Sequence, residues 1–257
     1  MSAPLLSAHG LTKTYGNRLA CAGIDLDITE GEVLAIVGES GSGKSTLLSL
    51  LAGELVPDSG EVRYRMRDGQ TRSLADLGPA ALRRLMRTDW GFVRQDARQG
   101  LRMAVSAGGN VGERLMGMGE RHYGRIRGQA LDWLGRVEIE AGRVDDPPSQ
   151  FSGGMRQRLQ IARNLVTGPR LVLMDEPTSG LDVSVQARLL DLIRRLSAEL
   201  GLAVIIVTHD LAVARLLSHR IAVMRAGRVI ETGLTDRVLD DPEHAYTQLL
   251  VASVLAA

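Results

Sequence analysis

The sequence is poor in the residues that would tie it to several common functions. Cys21 is the sole cysteine, so neither a disulfide framework nor a cysteine metal cluster can form within one chain; beside a strand-like stretch it reads as a small buried residue. Aromatics make up 3% of the 257 residues and the formal net charge is +1. The basic, aromatic-interleaved footprint of a nucleic-acid binder is therefore missing, and no nucleic-acid partner is expected. Lysine occurs only at Lys13 and Lys44, which leaves arginine to carry nearly all the positive charge. No apolar run approaches the roughly 18 residues that cross a bilayer, and the N-terminal stretch lacks the apolar core of a secretory signal. A cytoplasmic location is expected, with any membrane spans supplied by other subunits.

What is present is concentrated in two segments. The first follows Val33-Leu34-Ala35-Ile36-Val37, a short β-branched run of the kind buried on both faces of a parallel sheet. Thr46-Leu47-Leu48-Ser49-Leu50-Leu51-Ala52 then starts a helix. Between them lies Gly38-Glu39-Ser40-Gly41-Ser42-Gly43-Lys44-Ser45-Thr46. Its glycines let the backbone bend around a phosphate, and the loop amides with the helix N-terminus aim positive charge at the anion. Lys44 is placed to reach β- and γ-phosphates and the Ser45 hydroxyl to ligate Mg²⁺. ATP with Mg²⁺ is the expected ligand.

The surrounding pattern is α/β. Residues 5–15 predict a strand, and Ile24, Leu26 and Ile28 alternate with Asp25 and Asp27 as on a half-buried strand. Asp58-Ser59-Gly60 predicts a turn ahead of a short strand at 61–64. From about 97 to 148 the character changes to frequent Gly, Arg and Met with short helical patterns, which marks an inserted helical subdomain, about 97–168 once the next helix is counted. Strands follow at 170–174, 203–207, 221–224 and 229–231. A long helix spans 183–200, with Val185, Leu189, Leu192, Ile193, Leu196 and Leu200 as its apolar stripe. A helical tail covers about 234–257. Strands alternating with helices indicate a parallel sheet covered by helices, and without an internal repeat residues 1–257 form one nucleotide-binding unit.

The remaining chemistry follows strands. Leu171-Val172-Leu173-Met174-Asp175-Glu176 is an apolar strand ending in two carboxylates, where Asp175 suits Mg²⁺ and Glu176 suits polarising the attacking water. His209, after the strand at 203–207, lies at the ligand edge of a parallel sheet and suits a γ-phosphate oxygen. Gln95, after Trp90-Gly91-Phe92-Val93-Arg94, is placed to reach metal or water, the alternative being an ordinary loop glutamine. Tyr15 offers a face for adenine, or is a plain strand-end tyrosine.

The second segment is Phe151-Ser152-Gly153-Gly154-Met155-Arg156-Gln157-Arg158. Ser152, Gly153 and Gly154 open a helix expected over 155–165, creating a second anion-binding N-terminus. One phosphate loop already serves the triphosphate, so the economical geometry has this end meet the γ-phosphate held by a second copy. ATP then joins two chains, and Ser179-Gly180-Leu181-Asp182 falls at the same interface.

In this order, these motifs resemble the ABC ATPase subunit over essentially the whole chain. The resemblance implies a P-loop, RecA-like parallel-sheet core with an N-terminal antiparallel β subdomain, an inserted helical subdomain and a head-to-tail ATP-sandwich dimer. Phe151 and Met155 depart from the commonest Leu-Ser-Gly-Gly-Gln form and, with the tail Pro242-Glu243-His244-Ala245-Tyr246-Thr247-Gln248-Leu249-Leu250, are similar to the branch that powers peptide and nickel importers. A narrower likeness runs through Gly100-Leu101-Arg102, residues 105–115 and Arg121-His122-Tyr123-Gly124, which resemble the K subunits of bacterial carbon–phosphorus lyase systems. It implies docking on a soluble phosphonate-degrading core, with residues 97–127 as the partner surface; the alternative is the coupling helix of a membrane permease that imports peptides, nickel or phosphonates, which would place the protein at the inner membrane. Read from pattern alone, 97–127 is an Arg- and Gly-rich solvated region.

Lys44→Ala is expected to abolish tight nucleotide binding. Unchanged affinity in a nucleotide titration would contradict the assigned phosphate loop.

Overall fold

Alternation of Ile24, Leu26 and Ile28 with two aspartates produces a strand with one buried face, and the rest of the first sheet follows from it. In the computed structural model, which describes residues 3–255, β1 (Leu6–Tyr15) and β2 (Arg18–Ile28) form an antiparallel hairpin with Tyr15 opposite Arg18. After β3 (Val33–Val37) and α1 (Lys44–Leu51) come β4 (Ser59–Arg65) and β5 (Thr71–Ser73), completing a sheet of order β2-β1-β4-β5. Strand β4 starts at Ser59, inside the turn expected at 58–60. Ser59 pairs with Thr12, and the Asp58 carboxylate accepts the Thr14 N–H at 2.7 Å and the Lys13 ammonium at 2.8 Å, so the turn-type residues pin β1. Helix α1 likewise starts two residues earlier than its apolar run suggests.

Next along the chain are α2 (Pro79–Thr88), β6 (Trp90–Val93), α3 (Ala97–Gly100), α4 (Ala107–Gly117), α5 (Tyr123–Arg136), α6 (Gly153–Leu165), β7 (Leu171–Asp175) and α7 (Val183–Leu200). The remaining elements are β8 (Ala203–Thr208), α8 (Leu211–Leu217), β9 (Arg220–Arg225), β10 (Arg228–Leu234), α9 (Thr235–Asp240) and α10 (Ala245–Leu255). The chain divides into two units, Met1–Leu82 with Gly201–Ala257, and Arg83–Leu200.

In the first unit β3 lies between β8 and β9, parallel to both, and β10 pairs antiparallel with β9. Every residue of β3 and of β8 is buried, as continuous apolar strands in a parallel sheet should be.

In the second unit β6 and β7 pair in parallel from Trp90 opposite Leu171 to Val93 opposite Met174. A part-buried ion pair, Arg170 to Asp89 at 2.7 Å, ties the residues that precede the two strands. Helix α7 buries Leu189, Leu192, Ile193 and Leu196 as its periodicity predicts, and Leu190 as well. Leu200, at the last turn, is exposed, and Val185 is only half-buried. Helix α6 begins at Gly153, two residues before the expected start, because Ser152 caps it: its Oγ accepts the Met155 N–H at 3.2 Å. Among the described residues no helix is long and apolar enough to cross a membrane.

Candidate nucleotide site

Parallel pairing decides where the first group of candidate residues lies. Strand β3 ends at Val37, directly opposite Thr208 of β8, so Gly38 and His209 leave the sheet at the same level. Gly43 enters α1 with φ at 106°, and a Cβ there would sit 2.1 Å from the Ala20 carbonyl oxygen, so only glycine fits. The Lys44 ammonium is buried and donates to the carbonyls of Gly38 and Glu39, both at 2.8 Å. Ser42 Oγ is buried with no hydrogen-bond partner among the described residues. Such orphans are rare in folded proteins and suit a site whose partner is a ligand. Ser45 and Thr46 follow on the first turn of α1, where backbone N–H groups have no helical acceptor. The donors offered here are a cation, a hydroxyl and amides, a set that fits a polyphosphate.

Tyr15, half exposed, stands at the end of the β1–β2 hairpin. Opposite it, Arg18 donates to the Gly41 carbonyl at 2.8 Å and ties the hairpin to the loop, a role the sequence reading did not give it. His209 is exposed at the end of β8. Its neighbours are fixed: Asp210 accepts the Ala212 N–H at 2.8 Å and caps α8, and Thr208 Oγ1 accepts the Asp210 N–H at 3.0 Å. Cys21 is buried, and burial pushes its thiol up to about 11, in keeping with a structural residue.

The second group gathers the same way. Val93 stands opposite Met174, so Gln95 and the Asp175-Glu176 pair emerge at one level. Gln95 Nε2 donates to Ser179 Oγ at 3.2 Å. Gln95, Asp175, Ser179, Gly153 and Arg156 line a cleft of about 470 Å³. Glu176 has φ at 46°, the left-handed region, which costs a non-glycine residue about 1–3 kcal/mol. Gly154 is packed so closely on α7 that a Cβ would lie 2.4 Å from Val185 Cγ1. Asp182 accepts the Val185 N–H at 3.0 Å and the Ser184 hydroxyl at 2.8 Å, and these bonds hold its carboxyl below the usual range. Phe151 is buried beneath Arg143, whose guanidinium lies 4.8 Å from the ring centroid.

One feature of this group was not read from the sequence. Gln157, Gln160 and Asn164 share a face of α6 and are all buried. Asn164 accepts from the Phe92 N–H at 3.1 Å and donates to the Phe92 carbonyl at 3.0 Å. Gln160 accepts from the Arg94 N–H at 2.6 Å and donates to the Arg94 carbonyl at 3.2 Å, which also receives Gln157 Nε2 at 3.2 Å. Phe92 and Arg94 are alternate residues, the ones a neighbouring strand would bond. Three side-chain amides thus stand in for a strand and fix the residue before Gln95. The available signal was three amides at helical spacing on an otherwise apolar face.

Comparison with known proteins gives this geometry its relatives. The family model described as ABC transporter matches residues 21–179. The chain is 61% identical over 255 residues, 99% of each protein, to the putative phosphonates utilization ATP-binding protein PhnK of Escherichia coli (strain K12). It is 38% identical to a putative peptide import ATP-binding protein of Brucella ovis, over 98% of this chain and 78% of that one. Among solved structures, an ATP-binding cassette captured as a dimer in a post-hydrolysis state bound to ADP and Pi superposes with a TM-score of 0.79 at 33% identity, covering 90% of this chain and 98% of the other.

Gln160→Leu keeps the volume but deprives the Arg94 N–H of its acceptor. It is expected to lower stability by about 1–3 kcal/mol, read as a fall in the urea midpoint. An unchanged midpoint would mean that the amide row does not hold the edge of β6.

Proposed function

The chain belongs to the ABC transporter family of ATP-binding subunits, and from that premise we propose that it is the ATPase of a phosphonate-degrading assembly, driving conformational change in a soluble carbon–phosphorus lyase core. ATP hydrolysis is the activity of the family. The observation that carries the finer reading is the 61% identity, over nearly the full length of both proteins, with a phosphonate utilization subunit.

In this reading Gly38, Glu39, Ser40, Gly41, Ser42, Gly43, Lys44, Ser45 and Thr46 cradle the triphosphate of ATP and Tyr15 faces the adenine. The buried Lys44 ammonium and the orphaned Ser42 hydroxyl support the assignment. Ser45, Gln95 and Asp175 offer the hard oxygen ligands that suit Mg²⁺, which when bound supplies charge neutralisation at the phosphate oxygens. Glu176 takes the proton of the attacking water, and His209 hydrogen-bonds a γ-phosphate oxygen. Ser152, Gly153 and Gly154 serve the nucleotide of a second copy, so the closed homodimer contacts each γ-phosphate from both sides. ATP favours that closed state because it binds it better, and phosphate release removes the difference. The dimeric relative in a post-hydrolysis state bound to ADP and Pi supports a nucleotide-bound dimer that outlasts the cleavage step.

A second reading, the energising subunit of a membrane importer, is favoured by the 38% identity with a peptide import protein. Both readings use the same active-site residues, so the partner decides between them.

Tagged Glu176→Gln protein, recovered from its host in the presence of ATP with soluble and membrane fractions kept apart, tests both levels. The expected result is a closed dimer that retains ATP and co-purifies with soluble lyase subunits. Recovery with polytopic membrane subunits overturns the partner assignment in favour of import, and wild-type turnover by the variant removes Glu176 as the base.

A further inference from the structure

The tail motif around His244 and Tyr246 has no part in the scheme above, yet it touches the phosphate loop. Tyr246 is 4% exposed, while its helix neighbours Ala245, Gln248 and Leu249 are exposed. Its phenol oxygen accepts a hydrogen bond from the backbone N–H of Glu39 at 3.2 Å. The Arg225 guanidinium lies 4.7 Å from its ring centroid. Just before Arg225, the Met224 carbonyl oxygen abuts the loop closely enough that a Cβ on Gly38 would come within 2.2 Å of it.

The start of α10 is fixed in turn. The Glu231 carboxylate of β10 accepts the N–H groups of Glu243 at 2.8 Å and His244 at 3.1 Å, and His244 Nδ1 accepts the Tyr246 N–H at 3.0 Å. A continuous series of contacts therefore runs from Glu231 through His244 and Tyr246 to Glu39. The other side of the Glu39 residue is held as well, because its carbonyl receives the Lys44 ammonium at 2.8 Å. Tyr246 and Lys44 grip the N–H and the C=O of one loop residue.

We infer that Tyr246 is a positioning residue for nucleotide binding, through which the C-terminal helix holds the phosphate loop in the shape that receives ATP. The inference rests on the ATP-binding reading of that loop. Lys44 must turn from the loop carbonyls toward phosphate when nucleotide enters, and Tyr246 then keeps the Glu39 peptide in place. The phenol acts on the fit of the loop and touches none of the reacting atoms, so its loss weakens affinity and spares the chemical step. By linkage, what α10 does for ATP, ATP does for α10: bound nucleotide stiffens the first turns of the helix.

The test compares full-length wild type, Tyr246→Phe, Lys44→Ala and, as a surface control on the same helix, Leu249→Ser. For each, ATP affinity is measured by calorimetry with Mg²⁺, steady-state KM and kcat by phosphate release, and amide exchange of residues 245–253 with and without ATP. Tyr246→Phe is expected to raise Kd and KM about three- to ten-fold, the worth of one hydrogen bond, with kcat within about two-fold of wild type. ATP should slow exchange of the helix amides in wild type and in Leu249→Ser, and should lose that effect in Tyr246→Phe. Unchanged affinity in Tyr246→Phe, with Lys44→Ala still unable to bind, overturns the positioning role and leaves the ATP-binding reading intact. A fall in kcat at constant KM overturns it too. Failure of wild type itself to bind ATP overturns both.

Discussion

Parallel strand pairing is the constraint on which the site depends. Strands that run the same way end together, so the loops leaving them share one edge. Val37 opposite Thr208 sets the phosphate loop beside His209, and Val93 opposite Met174 sets Gln95 beside Asp175 and Glu176. A slip of one residue in either pair would exchange the side chains packed against each face of the sheet, and a close-packed interior resists that repacking. The chemistry is carried by loops, but its placement comes from residues such as Ile36, Ile206 and Leu173 that touch no ligand.

Parallel sheets leave edges, and an edge has backbone groups that need partners. Along β6 those partners are the amides of Gln160 and Asn164, which also belong to the helix opened by Ser152 and Gly153. One helix therefore combines a serine-capped N-terminus with a false strand along its flank. Because Arg94 is bonded to this helix and Gln95 follows it, a displacement of α6 reaches Gln95 through three buried amides with no intervening flexible segment.

The readable parts of this fold are those fixed by near neighbours in sequence. The glycines before Lys44, the apolar run before Asp175, and the stripe of α7 each state their local geometry within a few residues. What escaped depends on distant partners. Arg18 meets the loop 23 residues away and Tyr246 meets it across 207, and neither separation has a periodic signature. The start of β4 was misplaced because Asp58 and Ser59 have turn chemistry, yet here the Asp58 side chain caps β1 and Ser59 joins the ladder. The early start of α6 was legible in principle, since a serine before two glycines is a good helix cap. Phe151, which departs from the commonest residue at its position, is buried with Arg143 stacked on it.

Glu176 shows how the fold sustains a costly conformation just after the C-terminal end of a strand. Its φ of 46° is unfavourable for a side chain that has a Cβ, and Pro177 after it closes the right-handed helical region to it. The turn that follows is held by several local bonds: Ser179 N–H to the Glu176 carbonyl at 3.1 Å, Leu181 N–H to the Thr178 carbonyl at 3.3 Å, and the Asp182 cap on α7. These, with the burial of Pro177 and Thr178, offset the strain and fix the direction in which the carboxylate leaves the backbone. Glycine at this position would relax the backbone and remove the side chain at once, so its effect would mix two causes. Glutamine keeps the backbone strain, the volume and the direction while removing the negative charge. The difference between Glu176 and its amide therefore isolates the chemistry of one group from the geometry that presents it.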